Sequence, residues 1–164
     1  MREDREAIEA TTVQNATYQL VRLYASRRAF AEWSAASGTV LSRSAFDLLG
    51  HIGERGSVTL GDLGRLAHMD PSAVSRQVRG LEEMALVERG EDPGDRRVSL
   101  VSLTVKGKEI HSRIAEVGAR HLDDVLHSWS ENDRSELARL LPKLVKDLRS
   151  HRYLDSDSFG REEV

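Results

Sequence analysis

The chain has 164 residues, of which 31% are charged, 39% hydrophobic and 5% aromatic, a composition typical of one soluble helical protein with both signs of charge on its surface. No run approaches the roughly 18 apolar residues that span a bilayer, and the N-terminal MREDREAIEA has no apolar signal core, so we expect a cytoplasmic protein. The absence of cysteine excludes disulfides, a thiol nucleophile and a thiol redox sensor. A formal net charge of −3 argues against an indiscriminate nucleic-acid coat, but it allows a local basic patch.

The first part of the chain is predicted to be helical. Apolar residues recur on one stripe between residues 8 and 33, as in an amphipathic helix. The segment 34–39 (SAASGT) has the composition of a loop, and Ser42 is placed to cap a second helix. Thr59 and Asp62 have the spacing of a capping box, which predicts that a short third helix begins there.

The stretch DPSAVSRQVRGLE, which begins at residue 70, predicts a helix with an unusual surface. Asp70 is a strong N-cap residue, and Pro71 suits the first helical position. Val74, Val78 and Leu81 fall at i, i+4 and i+7, so one face is predicted to be buried. The remaining surface carries serines and arginines in its first two turns, although serine competes with helix formation. This surface is therefore either an unremarkable solvated face or a face that needs small polar groups and forked donors.

The hydrophobic period changes after residue 84. Residues 85–89 and 98–103 predict two short strands, and the intervening GEDPGDRR is a turn rich in Gly, Pro and Asp. Two tightly joined helices followed by a hairpin predict a winged helix-turn-helix.

The last third of the chain is predicted to be helical again. Thr104 is placed to cap a long helix, and Ser130 with Asp133 forms another capping box before the last one. Pro142 lies within that last apolar pattern, which predicts a kink or a shortened turn. The polar tail at 155–164 is predicted to be flexible.

The order of these elements and several of their residues resemble the MarR (multiple antibiotic resistance regulator) family of bacterial transcription factors. The resemblance is strongest in PSAVSRQVRGLE, in the MALVER that follows, and in DPGDRRVSLVSLTVKG. It implies a homodimer in which the outer helices, at residues 8–33 and 104–153, intertwine. It also implies binding to pseudo-palindromic operators, usually repression, and often release by a small ligand. Gly61 and Gly64 depart from the family, which more often has better helix formers there.

We therefore expect a mainly α fold with a small β-hairpin, in which a winged helix-turn-helix is flanked by N- and C-terminal dimerisation helices. The expected parts are an N-terminal dimerisation helix and loop at 1–40, a DNA-binding domain at 41–103, C-terminal dimerisation helices at 104–154 and the tail at 155–164.

The surface of the helix that begins at residue 70 suits the major groove. A helix lying in that groove, roughly 12 Å wide, needs slim N-terminal turns and donors aimed at base edges. Arg76 is the predicted base reader, because a guanidinium fits guanine O6 and N7, and Ala73 can contact a thymine methyl group. The predicted recognition-helix contacts are Ser72, Ala73, Ser75, Arg76, Gln77 and Arg79, with Gln77 and Arg79 at the edge of the site or on phosphate.

The tip of the predicted hairpin carries Asp95, Arg96 and Arg97. The family resemblance suggests that an arginine here enters the minor groove, where a narrow A·T-rich stretch concentrates negative potential, and that Asp95 holds its base. Either arginine can take that part, and a plain solvated hairpin tip is the alternative. From residue 70 to 106 six basic residues are outnumbered by seven acidic ones, so DNA binding must depend on where the arginines lie, with a shallow salt dependence.

No enzyme is indicated, since the chain has no glycine-rich phosphate loop and no nucleophile motif. His111, His121 and His127 are ten and six residues apart, which does not place neighbouring pairs on one helix face, so we expect no metal and no cofactor.

Aromatic residues raise a separate question. Tyr24, Trp33 and Phe46 are candidates for an effector pocket between the dimerisation helices and the DNA-binding helices, or they are plain core. The predicted function is a sequence-specific DNA-binding transcriptional regulator, in particular a repressor released by a small molecule. Its expected partners are double-stranded DNA, a second copy of the chain and a small-molecule effector. The alternative function is a winged-helix module for protein–protein contacts without a ligand response.

Overall fold

The computed structural model describes residues 2–92, 94–95 and 98–151. The helices and strands are, in chain order, α1 (Arg2–Ala25), α2 (Arg27–Ala36), α3 (Arg43–Arg55), β1 (Ser57–Thr59), α4 (Leu60–Ala67), α5 (Pro71–Glu83), β2 (Val87–Glu91), β3 (Ser99–Leu103), α6 (Val105–Val125) and α7 (Glu131–Ser150). The first of two compact units ends at Arg120, within α6, and the second holds the end of α6 and α7. Among all the residues that the structure describes, no helix is long and apolar enough to cross a lipid bilayer. The predicted flexible tail at 155–164 lies outside the described residues.

The single helix predicted over residues 8–33 is wrong, because this part of the chain forms two helices, α1 and α2. Ser26 separates α1 from α2 with an extended backbone (φ −65°, ψ 139°), and its hydroxyl oxygen accepts a hydrogen bond from the Ala29 N–H at 3.1 Å. Serine is a preferred N-cap residue, so it starts a new helix although the apolar stripe continues. The loop predicted at 34–39 is shorter than expected, because α2 extends to Ala36.

Three helices and a three-stranded sheet form the core of the winged helix-turn-helix. The sheet is antiparallel in the order β1-β3-β2. Strand β3 therefore lies in the centre, where Val101 pairs with Val58 of β1 on one side and with Arg89 of β2 on the other. The most deeply buried large side chains are Leu48, Leu49, Ile52, Leu63, Val74, Val78, Leu81, Leu86 and Val101. This core fixes how α4, α5 and the hairpin lie.

The sequence prediction missed one strand and shifted another. β1 has only three residues, too few to show an alternating pattern. The first hairpin strand begins at residue 87 rather than 85, because residues 84–86 form a turn after α5. In that turn Ala85 has φ 56°, a left-handed conformation that costs a non-glycine residue roughly 1–2 kcal/mol.

The start of α6 lies directly against that turn. The Thr104 hydroxyl oxygen accepts a hydrogen bond from the Gly107 N–H at 3.0 Å, so Thr104 caps the helix as predicted. The Gly107 Cα lies so close to the backbone of Leu86 that an added Cβ would be 1.9 Å from the Leu86 carbonyl oxygen. Only glycine permits this approach.

Helix α7 begins where it was predicted to begin. The Ser130 hydroxyl oxygen accepts a hydrogen bond from the Asp133 N–H at 3.1 Å, which confirms Ser130 as the N-cap, and the Ser130 hydroxyl donates to the Asp133 carboxylate at 2.6 Å. Of the kink or shortened turn predicted at Pro142, the shortened turn is wrong, because α7 continues through Pro142 to Ser150; the kink stays a prediction. Proline removes one backbone donor and its ring crowds the carbonyl four residues earlier, but strong helix formers flank it on both sides.

Both outer helices leave apolar side chains in solvent. No residue of α7 is buried, and Leu140, Leu141, Val145 and Leu148 are 41–48% exposed. In α1, every side chain described from residue 8 onward is exposed except Thr17. Each of these helices therefore carries exposed apolar side chains.

Candidate nucleic-acid interface

A tight turn joins α4 to α5. His68 ends α4 in a left-handed conformation (φ 50°), and the Met69 N–H donates to the Gly64 carbonyl at 2.9 Å. A Cβ added at Gly64 would lie 3.1 Å from the Met69 carbonyl oxygen, closer than most side chains tolerate. Gly64, one of the two glycines that depart from the family pattern, therefore has a packing reason, because it lets the turn fold back onto α4.

Asp70 caps α5 and Pro71 occupies its first position, as predicted. One Asp70 carboxylate oxygen accepts from the Ala73 N–H at 2.9 Å and from the Ser72 hydroxyl at 2.6 Å. The hydrogen bond from Ser72, then that from the Ala73 backbone, hold the pKa of Asp70 below its ordinary value, and the positive charge of Arg76 adds to this. The Ser72 hydroxyl proton is thus directed at Asp70, and its oxygen is left to accept a hydrogen bond from elsewhere.

This cap predicts a specific loss of stability in acid. The pKa of Asp70 is lowered from 3.8 on folding, so its contribution is complete above that value and is lost as the pH falls through the folded pKa. Asparagine caps equally well but does not titrate. We therefore expect the wild type to lose more stability than Asp70→Asn when the pH falls from about 5 to about 2. The difference between their free energies of unfolding should change in favour of the variant over this range. Urea denaturation followed by circular dichroism measures it; a difference that stays constant over this range contradicts the prediction.

The surface of α5 separates into a buried face and an exposed face. Val74, Val78 and Leu81 are buried as predicted and anchor the helix on the core. Four of the predicted DNA-contacting residues are exposed, and two are half-buried. The exposed residues are Ser72, Ser75, Arg76 and Arg79, and the half-buried ones are Ala73 and Gln77.

Gln77 contacts another helix of the protein. Its side-chain carbonyl oxygen accepts a hydrogen bond from the Ser42 hydroxyl at 2.9 Å. The same Ser42 oxygen accepts from the Ala45 N–H at 3.1 Å and so caps α3, as predicted. Gln77 therefore ties the middle of α5 to the start of α3, a contact that the sequence did not reveal.

The hairpin between β2 and β3 is closed by backbone and carboxylate contacts. The Asp92 carboxylate accepts from the N–H groups of Gly94 at 2.7 Å and Asp95 at 3.2 Å, and the Asp92 N–H donates to the Val98 carbonyl at 3.0 Å. Asp95 is exposed at the tip. The two arginines predicted beside it, Arg96 and Arg97, lie outside the described residues.

One arginine of the hairpin is paired with α5. The Arg89 Nε donates to a Glu82 carboxylate oxygen at 2.9 Å, and both side chains are more than half covered. This ion pair joins β2 to the last turn of α5. It removes Arg89 from the positive charges free to meet DNA.

The three aromatic residues predicted as a pocket do meet, with a fourth. Trp33 packs edge-on against Tyr24 (ring centroids 6.3 Å apart) and against Phe46 (5.3 Å), and Phe30, which the sequence analysis missed, packs on Phe46 at 5.4 Å. Trp33 and Phe46 are half-buried against the core. We call Tyr24, Phe30, Trp33 and Phe46 the aromatic cluster.

Arg43 connects this cluster to the start of α3. Its Nη1 donates to the Tyr24 carbonyl oxygen at 2.8 Å, and its guanidinium lies 5.4 Å from the centre of the Phe30 ring, within range of a cation–π contact. A cavity of about 460 Å³ between α3 and α4 is lined by Phe46 but by neither Tyr24 nor Trp33. The effector pocket remains a prediction.

A short helix, a three-residue turn, a second helix with an exposed polar face and a β-hairpin define a winged helix-turn-helix protein, a class that reads DNA by placing the second helix in the major groove. Residues 41–98 match the model of the MarR family. The HTH-type transcriptional regulator YxaD of Bacillus subtilis is 31% identical over 106 residues, which cover 65% of this chain and 74% of YxaD.

Solved structures show the same fold. A MarR family protein from Bacillus stearothermophilus superposes with a TM-score of 0.72 at 22% identity, over 90% of this chain and 98% of that one. FabT of Streptococcus pneumoniae, solved in complex with DNA, gives a TM-score of 0.57 at 20% identity, over 90% and 96% of the two chains. The chain belongs to the MarR family. It is a DNA-binding transcriptional regulator and not an enzyme.

Proposed function

We propose that this regulator binds a pseudo-palindromic operator as a homodimer and represses transcription until a small molecule releases it. The observation that carries the dimer is α7, which has 20 residues and buries none of them. The apolar side chains of this helix are 41–48% exposed at Leu140, Leu141, Val145 and Leu148, and an exposed apolar patch marks an interaction site. Helix α1 also exposes apolar side chains. A second copy of the chain offers the same apolar stripes in return, as a two-fold symmetric interface requires.

The exposed face of α5 supports reading in the major groove. Ser72 and Ser75 keep the start of the helix slim, so its backbone can approach base edges closely. Arg76 and Arg79 are exposed on the same face, and neither side chain has a hydrogen bond or ion pair within the described part of the chain. In this proposal Arg76 reads a base and Arg79 holds a phosphate. The hairpin tip reaches the minor groove with Arg96 or Arg97, beside Asp95.

Selection of duplexes from random DNA by the purified protein tests the proposal. A dimer predicts an enriched inverted repeat whose half-sites lie about one helical turn, roughly 34–36 Å, apart. A bound pool with a single unrepeated site rejects the dimeric reading. A pool without any enrichment, from folded protein at low salt, favours the protein-contact module instead.

Replacing Arg76 should change which sequence is preferred. We expect Arg76→Ala to cost roughly 1–3 kcal/mol at the base pair that Arg76 contacts and to relax the preference there. Arg79→Ala is the matched control, since loss of a phosphate contact weakens binding on all sequences alike. Competition binding with every single-base variant of the selected half-site measures both. If Arg76→Ala weakens all variants equally, Arg76 is a phosphate contact and not the reader.

Release by a small molecule is supported by the position of the aromatic cluster. Arg43 contacts Tyr24 and Phe30, and the neighbouring Ser42 contacts Gln77 of α5. A compound that separates the aromatic rings would therefore act close to the DNA-reading helix. Trp33 reports on this cluster if the other tryptophan is replaced in a Trp129→Phe variant. A compound that shifts Trp33 fluorescence and displaces the selected duplex supports release; displacement without a shift in fluorescence places the effector elsewhere.

A further inference from the structure

Three successive carbonyl groups that follow the recognition helix α5 are all bound by the start of α6. The Met84 carbonyl accepts from the Lys106 ammonium at 2.9 Å. The Ala85 carbonyl accepts from the Thr104 hydroxyl at 2.7 Å, and the Leu86 carbonyl accepts from the Thr104 N–H at 3.1 Å. Each carbonyl group of the 84–86 turn therefore accepts a hydrogen bond from either Lys106 or Thr104.

Two unfavourable features of the backbone accompany this contact. Ala85 adopts a left-handed conformation that alanine disfavours, and it does so where its carbonyl meets Thr104. Gly107, inside the first turn of α6, gives up the helix propensity of a larger residue so that the backbone of Leu86 can touch it. The contact at Gly107 brings the backbone of Leu86 closer to α6 than any side chain would allow, so the position of the turn constrains the position of α6.

Lys106 also compensates an electrostatic defect of α5. The last turn of α5 has Glu82 and Glu83 and no basic residue, although the C-terminal end of a helix favours positive charge. The Lys106 ammonium lies on the Met84 carbonyl, at the C-cap of α5. The positive charge that is missing from the C-terminal end of α5 is therefore supplied by Lys106 of α6.

We infer that Lys106, together with Thr104, is a specificity-determining positioning residue that sets the spacing between the half-sites that the dimer accepts. This inference rests on the proposed function, in which α6 belongs to the dimerisation region and α5 enters the major groove. The distance between the two recognition helices then depends on how rigidly each α5 is held to its α6. Lys106 and Thr104 hold the turn that follows the C-terminal end of α5.

The test uses the full chain and fluorescein-labelled duplexes that carry the selected inverted repeat. The number of base pairs between the half-sites is changed by −1, 0, +1 and +2, and each added pair turns one half-site by about 34° about the DNA axis. Fluorescence anisotropy gives the Kd for each duplex. The readout is the ratio of Kd values between the altered spacings and the selected one, because a merely structural loss lowers all affinities alike and leaves this ratio unchanged.

Lys106→Met is compared with Lys108→Met. The Lys108 side chain is exposed on the same turn of α6 and makes no hydrogen bond or ion pair within the described residues. Both variants therefore lose one positive charge, but only Lys106→Met loses a side-chain hydrogen bond. We expect Lys106→Met to reduce the preference for the selected spacing about 3- to 10-fold, the net effect of one typical hydrogen bond at an exposed side chain, and Lys108→Met to keep it. Thr104→Val should act like Lys106→Met, and Thr104→Ser should restore the wild-type ratio, since it keeps the hydroxyl.

Each remaining outcome overturns the inference. If Lys106→Met keeps the spacing preference, or weakens binding by the same factor on every duplex, Lys106 stabilises the fold and no more. If the wild-type protein prefers the repeat but tolerates all spacings equally, the dimer stands and the positioning role falls. If the wild-type protein selects no repeat, the proposed function falls as well.

Discussion

Replacement of Gly107 by alanine is expected to prevent the DNA-binding domain from folding stably. The added Cβ would lie 1.9 Å from the Leu86 carbonyl oxygen and 2.9 Å from its carbon, which are backbone atoms that cannot rotate away. Leu86 itself is almost fully buried, so the turn cannot move outward without opening the core. We expect a loss of at least about 3 kcal/mol in the free energy of unfolding, at the upper end of what overpacking costs. Urea denaturation followed by circular dichroism measures this loss.

Gly50 provides the matched control for that experiment. It lies within α3, where an added Cβ would meet nothing within 4 Å. Glycine inside a helix is about 1 kcal/mol less favourable than alanine, so Gly50→Ala should raise the free energy of unfolding. The contrast between the two variants separates steric exclusion at Gly107 from a general response to losing a glycine. A Gly107→Ala protein as stable as wild type would show that α6 can withdraw from the 84–86 turn at little cost.

Removal of the last helix should convert the regulator into a monomer with much weaker DNA binding. Truncation after Leu126 deletes α7 and with it the apolar stripe that contains Leu140 and Leu148. Two linked half-sites bind about 10²- to 10⁴-fold more tightly than one, so we expect at least a 100-fold rise in Kd on the selected duplex. Light scattering after size exclusion gives the mass, and anisotropy gives the Kd.

Two further proteins make this result interpretable. Truncation after His151 removes residues 152–164 and keeps α7, so this protein should remain a dimer with wild-type affinity. Leu141→Glu in the full chain places a charge on the exposed apolar stripe and should weaken the dimer without shortening the protein. If a chain that ends at Leu126 still has the mass of a dimer, the dimer interface is formed by α1 and α6 and not by α7.

Local chemistry made most helix starts predictable. An N-cap needs only a side-chain oxygen and the backbone N–H three residues later. Five helices are capped in this way by the predicted residues, which are Ser42, Thr59, Asp70, Thr104 and Ser130. The same chemistry at Ser26 was overlooked, since the apolar stripe continues past it. Strand β1 could not be predicted, because its three residues gain their structure from pairing with β3, more than 40 residues away.

The candidate interface was predictable as a pattern, but not in its internal contacts. The exposure of Ser72, Ser75, Arg76 and Arg79 follows from the spacing of the three buried residues of α5. The contact of Gln77 with Ser42, 35 residues apart, depends on how α5 packs on α3. The pairing of Arg89 with Glu82 depends likewise on where the hairpin meets α5. A helical pattern gives the direction of a side chain, whereas its partner depends on tertiary packing.

The absence of any buried residue in α7 has a thermodynamic consequence. A helix in a protein gains most of its stability from the packing of its apolar face, so in the proposed dimer the folding of α7 and the association of two chains become one equilibrium. The stability of this region then rises with the concentration of the protein by mass action. The number of copies in a cell would therefore determine both how many operators are occupied and what fraction of the chains possesses a complete structure.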